Sequence, residues 1–441
     1  RDLVRSRGLG DVYKRQYVLH AKHSYSTTMF SGYRTLMSTP GAMRFSIPGV
    51  IARMPISMDS LALIFIVVAV SDSYALAGAL SATASVFMAI ATPHWSRVAD
   101  RIGQSAMLVR VIPIKVAGLS LFTVLVLNNA PVWTWFVCII IAESMSVNTG
   151  GLVRRRWLHI LSPDKTSTAE DEQDRHLVNT AYSFEAIMDE VVFILGPIIV
   201  TACATTIAPA AGIISGIIFV LIGVPLFVMQ KSTEPPAAPK RIIDPHPAVI
   251  RNKRVQAVVL VTTLLGGFFG SIAIVTVAFA DQRGQENMSG VLLAVWAFGS
   301  GIAAIINGTI KWKLSSASRF LIFLFALTLL SVPMLFTHSL VWLAVALFFN
   351  GFAVAPLVIN AYGVAEGAVP ADQITETLTW VVAGMPLGGA ISSALSGQVI
   401  DHFGADIAFW VPLGFMIAAC VATLPYFNTY KALIDYPRAR D

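Results

Sequence analysis

Asp59 and Glu143 are each embedded in a long apolar run, "MPISMDSLALIFIVVAV" and "VWTWFVCIIIAESM". A carboxylate in such surroundings is costly unless it is paired, protonated or wetted, so each demands a reason. Two carboxyl groups at matched depth could carry a proton or receive a cationic group. Alternatively, each is neutral or paired with a base and only ties helices together. Arg53 stands just before the quoted run, seven residues into the longer apolar stretch that starts at Ser46. It can receive an anionic group, neutralise a carboxylate, or snorkel to the membrane edge. Glu185, Asp189 and Glu190 interrupt a third apolar run; Glu185 and Asp189 are four apart and share a helical face. Glu190 is turned about 100° from Asp189. Arg154, Arg155 and Arg156 end the run of Glu143, and an ion-pair network is expected to join them to Glu185, Asp189 and the polar stretch 96–104. Lys115 and Arg110 stand in one more apolar run, where Lys115 must pair inward, with Glu143 as candidate partner, or snorkel.

Other chemistries find no footing. Cys138, Cys203 and Cys420 are isolated, and His94, His159, His176, His246, His338 and His402 fall at run ends or in polar breaks. No paired-ligand spacing occurs, so no metal and no cofactor is expected. No GxxxxGK[ST] loop occurs to bind a nucleotide phosphate for direct ATP drive. The charges are spread singly rather than clustered at one membrane face, which speaks against an embedded enzyme. The polar breaks are too short for an appended sensor domain.

The elements that must position these residues follow from composition. The chain is 56% hydrophobic and 13% charged, with a mean hydropathy of +0.70, against about 25% charged residues in soluble domains. Apolar runs long enough to cross a hydrocarbon core of ~30 Å as helices recur throughout, and the period-2 alternation of an outer-membrane barrel does not appear. The fold class is all-α and polytopic, with twelve spans near 46–70, 74–94, 105–127, 131–152, 179–203, 208–229, 255–280, 289–310, 319–337, 340–362, 376–399 and 406–427. At ~1.5 Å per residue, Asp59 is roughly 20 Å into span 1, and Glu143 sits at a similar level of span 4.

The breaks on one side hold nineteen Lys and Arg; those on the other hold Arg283 alone. By the positive-inside rule both termini are expected in the cytoplasm, in a plasma-membrane protein. The basic excess of +6 thus reads as membrane orientation, with no nucleic-acid partner. The Pro-rich, charged break at 230–254 reads as an extended linker between a six-helix bundle at 46–229 and a second at 255–427. Residues 17–45 form an N-terminal cytoplasmic segment and 428–441 a tail. Residues 1–16, with "SRGLGDVYKRQ", read as translated sequencing adapter, which leaves Met29 and Met37 as candidate starts. Two six-span halves are the plan of transporters with parallel repeats, whose substrate site lies between the halves.

Between spans 2 and 3 stands "SRVADRIGQ" (96–104), which fits G-x-x-x-D-[RK]-x-G-x apart from its first glycine. With the 6+6 plan it resembles the signature loop of the major facilitator superfamily, over residues 45 to 427 in architecture. Ser96 replaces the first glycine, and Gln104-Ser105 stands where a basic residue is usual. The resemblance implies a gating latch: Gly103 permits a tight reversal, Asp100 faces the positive end of a neighbouring helix, and Arg97 and Arg101 bridge to acids. "SGQVIDHFG" (396–404) repeats the pattern on the other side, and is expected to be an echo rather than a second latch. "NGTIKWK" (307–313) keeps Gly308 and Lys311 but has no aspartate.

Gly196-Pro197 in span 5 resembles the helix-kinking core of the motif of export-type members, without its downstream glycines. The basic residue that drug/proton antiporters often carry in span 4 is missing. The resemblance makes spans 1, 4, 7 and 10 cavity helices, so Asp59, Glu143, Arg53 and Glu190 become the proton or substrate candidates. Asn350, Asn360, Trp296 and Trp380 are candidates for a neutral side of the cavity. Together these imply a secondary active transporter, working as a monomer by alternating access, with protons as coupling ion and efflux of a small organic solute. The alternative is a proton-coupled uptake symporter for a sugar or other metabolite, and a membrane enzyme or sensor is more remote.

Overall fold

A computed structural model describes residues 29–161, 170–237, 249–310, 312–369 and 373–426. The adapter-like stretch, His246, Lys311 and the tail at 428–441 lie outside the described residues. Eleven helices there are long and apolar enough to cross a membrane, and a shorter apolar helix, Val132–Glu143, supplies the first part of the remaining span. In order they are Ala42–Ser71 (span 1), Tyr74–Ile102 (span 2), Gln104–Leu127 (span 3), Val132–Glu143 with Thr149–Leu161 (span 4), Thr180–Thr206 (span 5) and Ala211–Val228 (span 6). The second half follows with Lys253–Asp281 (span 7), Glu286–Thr309 (span 8), Ser316–Phe336 (span 9), Leu340–Gly367 (span 10), Thr377–Phe403 (span 11) and Ala405–Thr423 (span 12). One short helix, Met29–Ser38, precedes them and buries Leu36 against span 1 and span 4 residues such as Phe45 and Trp157.

Sequence chemistry explains the ends. Ser73, Ser315 and Ser339 cap the starts of spans 2, 9 and 10, each accepting a first-turn amide on its hydroxyl. Span 1 bends at Met54, before Pro55, whose ring cannot continue the regular hydrogen bonding. Span 4 is broken between Glu143 and Thr149 by "SMSVN", whose side chains compete for the backbone. The carbonyl freed at Ser144 accepts from the Trp95 indole of span 2 at 2.7 Å. Span 2 outruns its expected end, staying helical to Ile102, so the polar stretch 96–104 is the last turns of a helix and a one-residue link at Gly103.

Lipid offers apolar side chains no reason to leave it, so helix association rests on close packing. Spans 7 and 11 meet where Gly266 lies on the backbone of Met385 and Gly388 on that of Thr263. The halves join chiefly through span 2 on span 11 and span 5 on span 8. These contacts include Gly78 against Ser393, Gly397 against Tyr74, and Gly290 against Pro197 and Thr201. The face that carries Arg97–Arg101 and Arg154–Arg156 is called the basic face below.

Candidate functional site

The broken span 4 brings the two singled-out carboxylates together. Lys115 Nζ of span 3 lies 3.2 Å from Asp59 Oδ2, 3.3 Å from Glu143 Oε1 and 3.1 Å from Ser146 Oγ. Ser146, inside the break, donates its hydroxyl to Glu143, the last residue of the first helical piece. Gly216 of span 6 packs beside Asp59. The cluster therefore sits among spans 1, 3, 4 and 6, within the first half rather than on the surface that the halves share. It holds two carboxyl groups and one ammonium, so one carboxyl is without a counter-charge.

Nearer the basic face, Arg53 is a hub. Its guanidinium donates to Glu185 and, at 2.8 Å, to Asp189 of span 5, and Arg154 Nη2 reaches Asp189 at 2.6 Å. Glu185 also accepts from Ser46 Oγ at 2.7 Å and Trp157 Nε1 at 2.6 Å. Arg53 thus neutralises span 5 instead of snorkelling, and Glu185 and Asp189 share it as their four-residue spacing requires. Of the anticipated network, Arg154 pairs with span 5 and Arg155 with Asp100 of the signature stretch, whereas Arg156 has no acid in ion-pair reach among the described residues. Arg156 donates to Gln104 Oε1 at 2.9 Å and to the Gln230 carbonyl at 2.7 Å, and it stacks over Phe227 at 3.8 Å. Glu190 lies apart, turned toward Gly301 of span 8 in the other half.

The signature stretch departs from expectation in its contacts. Asp100 is held by Arg155 of its own half instead of a helix end. Arg97 Nε donates to the Pro93 carbonyl of its own helix at 3.2 Å, and Arg101 is exposed with no ion pair among the described residues. Gly103 has φ 91° and ψ 154°, a region nearly closed to residues with a side chain. Ser105, which with Gln104 stands where a basic residue is usual, donates its hydroxyl and its amide (2.8 Å) to Glu234. The linker's first residues are consequently docked on the first half, with Thr233 buried, and are not extended in solvent.

Residues 258–440 match the sequence model of the Major Facilitator Superfamily. A solved structure of a variant of the nucleoside transporter NupG superposes with a TM-score of 0.69 at 13% identity, covering 89% of this chain and 99% of its own. The chain has the major facilitator fold, and its second half carries the superfamily's sequence. An auto-inhibited POT family peptide transporter is similar with a TM-score of 0.65, 11% identity and coverage of 89% and 96%. A bacterial homologue of the iron transporter ferroportin, in an inward-facing state, gives 0.65 at 9% identity, with 89% and 98% covered. No curated protein sequence matches the chain significantly.

In this major facilitator fold the remaining candidates disperse. Trp296 Nε1 donates to Asn350 Oδ1 at 3.0 Å and Asn350 Nδ2 to Ser331 Oγ at 3.1 Å, a buried link among spans 8, 10 and 9. Asn360 is buried, its amide donating to the Pro356 carbonyl of its own helix at 2.7 Å, and Trp380 is exposed. Gly196 lets span 5 touch Ser57 of span 1, and the Pro197 carbonyl meets Gly290 of span 8, so the pair marks a three-helix crossing. Sequence reasoning passed over Ser46, Trp157, Ser146, Glu234 and Asp401. Only Asp401 carried a signal, its place in the repeated G-x-x-x-D pattern.

Proposed function

We propose that this chain is a secondary active transporter that moves a small organic solute by alternating access, coupled to protons. The observation that carries the coupling is the cluster at the break of span 4. Asp59 and Glu143 share a single ammonium, Lys115, deep within apolar helices. A carboxyl left without a counter-charge of its own inside an apolar bundle is a place that a coupling proton would occupy and leave. Interrupted helices mark the ion and substrate sites of several transporter folds, and the C-terminal end of a half-helix, where Glu143 lies, favours positive charge. Glu190, aimed at the other half, is the second acid available to the cycle. The solute would pass between the halves, where transporters built of two parallel repeats place their site.

On this reading the basic face is cytoplasmic, as the Lys/Arg bias requires, and the protein belongs to the plasma membrane. Efflux is the proposed direction, on Gly196-Pro197 alone. The test is a proton flux assay in proteoliposomes across a panel of organic solutes, comparing the natural chain with Asp59→Asn and Glu143→Gln. Solute-triggered proton movement should be lost in at least one variant. Undiminished coupled transport in both would remove the cluster from the mechanism.

A further inference from the structure

Spans 2 and 11 run antiparallel, and each ends in the same device. "SRVADRIG" (96–103) and "GQVIDHFG" (397–404) both place an aspartate three residues before a terminal glycine. The two glycines share a backbone conformation: Gly103 at φ 91°, ψ 154° and Gly404 at φ 84°, ψ 167°. In both cases the next helix begins at the following residue.

The two aspartates are engaged differently. Asp401 reaches across from the second half to the start of span 2. It accepts from Tyr74 N at 2.8 Å, Ala75 N at 2.9 Å and Ser73 Oγ at 2.8 Å. The two amides are free first-turn donors at the positive end of a helix, the place where a carboxylate is most favourable, and the hydroxyl belongs to the cap residue. Tyr74 adds a fourth bond between the halves, donating its hydroxyl to Asp281 Oδ2 of span 7 at 2.8 Å. Gly78 and Gly397 bring the two helices together below this point. On the basic face Asp100 is instead paired with Arg155 of its own half. The start of span 11 there has Gln373 as its cap residue, without a side-chain capping bond.

We propose that Asp401 is a latch for the face opposite the basic one, capping span 2 in the state seen here and leaving it when that face opens. The repeat at 396–404 is then no mere echo, because its aspartate bonds across the halves while Asp100, among the described residues, bonds within its own half. The inference rests on the alternating-access reading, but its test reads distance rather than transport.

Spin labels on cysteines at the exposed positions Trp133 and Phe403 report the width of the opposite face, in full-length protein reconstituted in nanodiscs. The natural residue at 401 should give mainly the short distance. Asp401→Ala should lower the ratio of closed to open populations about tenfold, the scale of a lost helix cap. Asp401→Asn, which keeps the shape and one acceptor oxygen, should fall between and also covers any failure of the alanine variant to fold. Asp406→Ala removes a nearby acid that pairs with Arg283 within the second half, and should leave the distribution unchanged. An unaltered distribution in both Asp401 variants overturns the latch, as does an equal shift in Asp406→Ala. Continued transport with unaltered distances would sink the latch while leaving the transporter reading in place.

Discussion

Glu185 has no exposed surface and takes donors from Arg53, Ser46 and Trp157. An enclosed charge of this kind depends on its partner, and removing one side of a buried pair costs about 3–5 kcal/mol. Arg53→Met should therefore lower the unfolding temperature of the detergent-solubilised protein substantially. Combining it with Glu185→Gln should restore most of the loss, because no buried charge is then stranded. A single variant as stable as the natural chain would mean that water reaches Glu185. The pairing was half legible in the sequence: Glu185 and Asp189 share a helical face and need a base, but Arg53 stood among three readings and the arginines of span 4 were the expected partners. The hydroxyl of Ser46 and the indole of Trp157 were not, because nothing in their local sequence says which helix they will meet. Lys115 was half legible: its charge demanded an inward partner, but only the packing of spans 1, 3 and 4 supplies two.

At the scale of elements, hydropathy runs marked all twelve spans, but not where span 2 would stop. "SRVADRIG" is polar enough to read as a loop, yet Arg and Ala sustain a helix. The chain reverses only at Gly103, whose φ 91° and ψ 154° few other residues can adopt. Gly103→Ala and Gly404→Ala should each cost on the order of 1–3 kcal/mol of stability. Gly308 lies in span 8 with nothing near the position of an added Cβ. Gly308→Ala should be neutral or stabilising by roughly 0.5–1 kcal/mol, since alanine restricts the unfolded chain and favours helix. Thermal unfolding of the three variants side by side checks this. Equal effects at all three positions would show that backbone conformation is not what selects glycine in the two links. The break in span 4 was hidden for a related reason. "ESMSVNTGG" is the polar end of a span read as continuous to 152, and its polarity marks where a helix meets water as readily as where it breaks; the Trp95 indole on the freed Ser144 carbonyl decides for the break.

For the molecule as a whole, the two halves are joined on one face by helix caps and glycine contacts, and a carrier must be able to undo them. Tight packing of this kind favours discrete arrangements over gradual deformation, so opening should be all or none. Ser73 Oγ and Asp401 Oδ2 lie 2.8 Å apart across the two halves, so cysteine sulfurs at 73 and 401 fall near bonding reach. In a chain whose Cys138, Cys203 and Cys420 have been replaced, Ser73→Cys with Asp401→Cys should transport when reduced, because a lost cap biases that face toward open without blocking the cycle. Oxidation should abolish transport, because one face can then never open, and a reductant should restore it. Either cysteine alone should be insensitive to oxidation. Transport that persists after the cross-link has formed would mean that solute passes without separation of spans 2 and 11. The rocking of two rigid halves would then have to give way to movement of single helices within a fixed frame.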